Sequence, residues 1–132
     1  MEPANESYKV IRVISKKQLG NHKDEREILL WISQKLLNFD FKYISIGSIE
    51  PGHKRGGHYH KETYEQFMCI AGKIKFVRDE ESIILEAGDI VEIPLGTVHT
   101  FINEGKETAY FLEMKSIEFD EQDNYSRLKD KQ

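Results

Sequence analysis

Three histidines and a glutamate in this chain stand at spacings that let them share one ion or one substrate. The stretch 52–65 reads GHKRGGHYHKETYE and holds His58, His60 and Glu65 just after Pro51-Gly52. A fourth candidate, His99, follows the turn Pro94-Leu95-Gly96. Strand residues two apart share a face, which sets His58 and His60 about 6.6 Å apart along the chain direction, so two imidazoles can chelate one ion. Glu65 comes five positions after His60, an odd offset that reverses its face on an unbroken strand; a bend around Lys61–Thr63 would bring the carboxylate back. Neutral imidazoles with one carboxylate suit divalent Fe, Mn, Ni, Zn or Co. The resulting cationic centre can polarise a carbonyl or bind an anion. If all four residues ligate an octahedral ion, two positions stay open for water or substrate, as in a working site. Any one histidine alone is more simply a tolerated surface or core residue; the set is what points to metal. His53 and His22 are read as non-ligands. Lys54, Arg55 and Lys61 cluster around these histidines. Arg55, with its bidentate geometry, is the candidate for a phosphate or carboxylate, with Lys54 and Tyr59 as further substrate-binding candidates. For Lys54 and Lys61 taken singly, a solvated loop is the simpler reading.

A chain of 132 residues is one domain with one core. Its 39% apolar and 32% charged residues make a globular composition. A net charge of −4 and a pI of about 5.7 argue against nucleic acid as the main partner. No apolar run is long enough to span a membrane, and MEPANESYKV shows no signal-peptide core. A single cysteine, Cys69, excludes an intrachain disulfide and makes the cytoplasm the expected compartment. Within the apolar run FMCIAG it is read as a buried structural thiol.

From residue 41 onward the pattern predicts short strands separated by Gly, Pro or charged turns. FKYISIGSI alternates and PGHKRGG breaks it; TYEQFMCIA and KIKFV flank Gly72 as a tight hairpin. SIILEA, IVEIP, HTFIN and TAYFLEMKSIEF follow, with turns at Gly88-Asp89, Pro94-Gly96 and NEGKE. Such spacing predicts an antiparallel sandwich or barrel. YKVIRVIS reads as an edge strand. Residues 25–38 fit either an amphipathic helix (Ile28, Leu29, Ile32, Leu36) or a strand with Ile28, Leu30 and Ile32 on one face. The charged tail 120–132 packs on the surface or frays.

Gly52-x5-His58-x-His60-x4-Glu65-x6-Gly72 resembles the first motif of the cupin superfamily at every fixed position, and Gly88-x5-Pro94-x-Gly96-x2-His99-x3-Asn103 resembles the second. Together they occupy 52–103. The resemblance implies an all-β fold, a small antiparallel double-sheet β-barrel (jelly roll), over the single domain 1–132. It also implies His58, His60, Glu65 and His99 as interior ligands of a divalent transition metal. Cupins that keep these residues without metal use imidazole as base or hydrogen-bond donor instead. Gly72, Gly88 and Gly96 are expected where a corner or tight turn needs positive φ, and Asn103 where its side chain can bond a turn backbone.

KRGGHYHK further resembles the R-G-x-H-x-H segment of sugar 3,4-ketoisomerases and 3,5-epimerases acting on nucleotide-linked keto sugars, and Asp24-Glu25-Arg26 resembles their D-x-R-G element. EFDEQDNYSRLKD is similar to their acidic tail and to that of cupin-type mannose-6-phosphate isomerases. The resemblance implies that Arg55 meets a phosphate and that His58 or His60, where no metal holds it, takes the proton beside a ketone. Glu27 departs from the element's glycine. The epimerases' tyrosine acid has only Tyr110 as a counterpart on the strand after the second motif, with Glu113 as the other occupant of that place. A metal-dependent dioxygenase or decarboxylase, and a ligand-binding module without catalysis, are the alternatives. Many such barrels pair, so a homodimer is expected, with YKVIRVIS as the paired or exchanged element.

Overall fold

The computed structural model describes residues 13–37, 40–59, 63–116 and 125–126. Among them are twelve strands: β1 (Val13–Ile14), β2 (Gly20–Lys23), β3 (Ile28–Trp31), β4 (Tyr43–Ile49), β5 (Lys54–Tyr59), β6 (Glu65–Ala71), β7 (Lys73–Arg78), β8 (Glu81–Glu86), β9 (Ile90–Ile93), β10 (His99–Ile102), β11 (Ala109–Lys115) and β12 (Tyr125–Ser126). One α-helical turn, α1 (Gln34–Leu37), and one 3-10 turn (Lys16–Gln18) interrupt them. The strands form two five-stranded sheets, ordered β1-β9-β6-β11-β4 and β12-β5-β10-β7-β8, and a separate ribbon β2-β3. Every pairing is antiparallel. This is the all-β double-sheet barrel that the motif spacing implied.

The core lies between the sheets. Phe67 on β6 stacks on Phe101 of β10 with centroids 3.6 Å apart, and on Phe111 of β11 at 4.8 Å. Each such aromatic pair adds about 0.5–1.5 kcal/mol beyond the area it buries. Phe76, Ile74, Leu85 and Ile93 complete an apolar floor, all at most 1% exposed. A second cluster, Ile14, Leu19, Leu37, Ile90 and Met114, packs the N-terminal segment onto the outside of the first sheet. Gln66, fully buried there, donates to the Leu37 carbonyl at 3.0 Å.

Two local expectations resolve differently from the sequence pattern. Gly72 does not close a hairpin: β6 and β7 belong to different sheets, so the glycine turns a barrel corner at φ +79°. A Cβ there would stand 3.1 Å from Ala109 Cα. Residues 25–38 divide between both readings, with a strand at Ile28–Trp31 and a helical turn at Gln34–Leu37. Asp24 sets the β2–β3 turn: its carboxylate accepts from the Arg26 and Glu27 amides at 2.8 and 3.1 Å. Val13–Ile14 pair with β9 of their own chain; residues 8–12 of YKVIRVIS lie outside the described residues, as does most of the 120–132 tail.

Candidate functional site

His99 opens β10 directly after the Pro94–Gly96 turn and is 1% exposed. Its Nδ1 lies 2.9 Å from the Thr97 carbonyl oxygen. A carbonyl only accepts, so Nδ1 carries a hydrogen, and in the neutral ring Nε2 carries the lone pair. Phe101 meets the ring edge-on at 5.7 Å. In register, His99 stands opposite Arg78 on β7 and His58 on β5. Arg78 is itself 3% exposed and bonds Glu81 at 3.1 Å.

The register reaches His58 through an irregularity. His99 pairs with His58, yet Thr100 pairs with Gly56, so Gly57 is an extra residue and β5 bulges. Gly56 holds φ +119°, and a Cβ on it would meet the His99 carbonyl oxygen at 2.5 Å and Thr100 Cα at 2.8 Å. Only glycine fits there. The Gly-Gly that reads as a strand breaker is therefore a bulge inside a strand that begins at Lys54.

Across the barrel from this pair, Glu113 and Ser45 on the other sheet join Arg55 of β5 in a row of hydrogen-bonded side chains. Glu113, on the same face of β11 as the core residue Phe111, is 5% exposed. Ser45 Oγ donates to its Oε1 at 3.0 Å, and Arg55 Nη2 donates to its Oε2 at 3.1 Å. Glu113 also shares a hydrogen bond with Glu65, which is 1% exposed on neighbouring β6. Burial first, then that hydrogen bond and the Glu65 charge, pushes the Glu113 carboxyl up to about 7; Arg55 and Lys115 pull it partly back. Glu113 thus takes up and releases its proton near neutrality. The Arg55 guanidinium lies 4.8 Å over the Phe111 ring.

Of the residues singled out by sequence, the structure brings Arg55, Glu65 and His99 to the barrel interior, with the backbone of His58 in register beside His99. The His58 and Tyr59 side chains, and all of His60, lie outside the described residues. Lys54 is exposed at the start of β5. Tyr110 does not join the site: it sits on the outer face of β11, 47% exposed, because its position alternates with the inward Phe111 and Glu113. His53 is exposed in the turn before β5, and Cys69 is fully buried, its thiol pushed up to about 11 chiefly by burial. Asn103 donates to the Ile49 and Glu107 carbonyls, both at 2.8 Å, tying the loop after β10 to the end of β4.

Sequence reasoning missed Arg78 and Ser45, and it gave Glu113 only as the alternative to a tyrosine. Nothing in one charged residue on an alternating strand says that it faces inward; the parity shared with Phe76 and Phe111 is the only available signal.

The donor set fits a divalent ion in its chemistry. His99 presents a lone-pair Nε2 with its other nitrogen fixed to a carbonyl, the orientation a ligating imidazole needs, and Glu65 supplies a buried carboxylate. His22, Asp24 and Glu27 form the only group of three potential ligand atoms within 4.8 Å among the described residues, at the exposed ribbon and with Asp24 already bonded to Arg26 at 2.8 Å. Among the described residues no helix is long and apolar enough to cross a membrane.

The fold and motifs define a cupin. A family model of the cupin domain matches residues 45–115, and the chain belongs to that family. It is 34% identical over 65 residues, 48% of its length, to quercetin 2,3-dioxygenase of Bacillus subtilis (strain 168), and 26% identical over 125 residues, 93% of its length, to mannose-1-phosphate guanylyltransferase of Salmonella montevideo. These stretches span 19% and 26% of the two relatives. In fold it is similar to a 3,4-ketoisomerase from Helicobacter canadensis (TM-score 0.78, 20% identity, covering 91% of this chain and 92% of that one). It is also similar to dTDP-6-deoxy-D-glucose-3,5-epimerase of Legionella pneumophila, solved with dTDP-4-keto-L-rhamnose (TM-score 0.70, 18% identity, covering 89% and 77%).

Proposed function

We propose that this cupin binds a nucleotide-linked keto sugar and moves a proton at the carbon beside its ketone, an isomerase or epimerase reaction. The carrying observation is the Arg55–Glu113–Glu65 row inside the barrel whose wall holds the buried His99: a fixed cation beside a carboxyl that titrates near neutrality. The full-length likeness in fold to a 3,4-ketoisomerase and a 3,5-epimerase supports it. Arg55 binds the anionic diphosphate; Lys54, its neighbour on the alternating strand, projects to the opposite face of β5. His58 or His60 accepts the proton, leaving the enolate of the ketone; the proton then returns to the opposite face of the same carbon or, once the neighbouring hydroxyl proton has passed to the enolate oxygen, to the former carbonyl carbon. A pKa near neutrality suits imidazole to both directions.

The second reading is a metal site. The His99 tautomer and the likeness to a dioxygenase favour it. Here His58, His60, Glu65 and His99 would hold a divalent Fe, Mn, Ni or Zn, which supplies Lewis acidity to a bound carbonyl or oxygen species. His58 and His60 would then not be free as bases. Elemental analysis of protein purified without chelators, alongside chromatography of a TDP-4-keto-6-deoxyhexose incubated with it, separates the readings. An isomeric product with and without chelator supports the first; stoichiometric metal and no product from the keto sugar overturns it.

We also propose a homodimer. Ile28, Leu29, Leu30 and Trp31 on the β2-β3 ribbon are 41–68% exposed, and Ile46 on β4 is 71% exposed, an apolar surface that association would cover. Light scattering at twice the 15.5 kDa chain mass is expected; a monomer at micromolar concentration contradicts it.

A further inference from the structure

Arg55 reaches across the barrel from one sheet to the other. Its Nη2 donates to Glu113 Oε2 at 3.1 Å, and its Cζ lies 4.8 Å over the Phe111 ring. The Arg55 side chain is 41% exposed while that of Glu113 is 7% exposed, so the ion pair has one buried and one open end. Ser45 anchors the buried end at 3.0 Å. A guanidinium has five N–H donors in a rigid plane, and the contact with Glu113 engages one edge of it.

We propose that Glu113 is a positioning residue: with Phe111 it fixes the Arg55 guanidinium so that its open edge meets the diphosphate of a nucleotide-linked ligand. This rests on the nucleotide reading above. An arginine side chain carries much rotamer freedom, and freezing it before binding removes that cost from the binding step. Charge alone predicts the opposite sign, because removing a carboxylate beside an anion site should tighten anion binding. The two effects therefore separate experimentally.

The test is calorimetric titration of TDP into the full chain. E113A is expected to weaken TDP binding about tenfold, and E113Q, which still accepts from Arg55, to recover it to within about threefold. R55A/E113A should bind no more weakly than R55A, since Glu113 acts only through Arg55. Unchanged or tighter binding by E113A, or additive losses in the double variant, overturns the proposal while leaving the nucleotide reading intact. Failure of the wild type to bind TDP overturns that reading and this proposal with it. If E113A does not fold, the ligand-free wild type decides: slow rotation of the Arg55 guanidinium in its nitrogen spectrum is expected, and rapid averaging overturns the proposal.

Discussion

The His99 ring and the Thr97 carbonyl are joined at 2.9 Å through Nδ1, which in the neutral ring leaves Nε2 as the atom bearing the lone pair. One buried backbone contact thus decides which nitrogen can accept a proton or bind a metal.

His99→Asn places an amide nitrogen near the position of Nδ1 and deletes Nε2. We expect the fold to lose at most about 1 kcal/mol in urea denaturation, since the Thr97 bond can persist. Turnover, or bound metal if the site holds one, should fall at least about a hundredfold. Wild-type levels of both in a folded H99N protein would show that Nε2 has no part in the site.

Gly56→Ala tests the β5 bulge. Its φ of +119° and the 2.5 Å approach to the His99 carbonyl oxygen leave no room for a methyl group. A cost of about 1–3 kcal/mol is expected from the backbone strain. Because the same bulge puts His58 in register with His99, activity should fall even where the variant is fully folded. A variant as stable and active as wild type would refute the register argument.

The burial of His99 and Glu65 and the positive φ of the turn glycines were legible because their spacing is rigid and chemically unusual. The inward parity of β11 was not: Tyr110, Leu112 and Met114 on one face look as apolar as Ala109 and Phe111 on the other. Only the register, with Glu113 opposite Ser45 and Phe67, puts that carboxyl inside the barrel. The bulge was hidden for a related reason, since Gly56-Gly57 reads locally as a break and becomes a strand feature only beside β10. Residues 28–31 carry apolar side chains on both faces of a two-stranded ribbon, so no periodicity could mark them.

The Glu113 carboxyl gives a pH prediction for chelator-treated protein. Its folded value of about 7 lies above the 4.5 of an unperturbed glutamate, chiefly because burial disfavours its charge. The folded chain therefore keeps a proton that the unfolded chain releases, and stability falls as pH rises from 4.5 through about 7, then levels off. Urea midpoints should decline across that window in the wild type and stay nearly flat in E113Q. A wild-type midpoint rising through the same window would contradict this assignment.

The reaction proposed for this site is proton transfer beside a ketone. Proton NMR of a TDP-4-keto-6-deoxyhexose in deuterium oxide tests it most directly. The signal of the hydrogen next to the carbonyl is expected to disappear at least about a hundredfold faster with the protein than in buffer, with the gain abolished in the double variant His58→Ala/His60→Ala. Exchange no faster than in buffer, with chelator and equally with added iron, manganese, nickel or zinc, would contradict it.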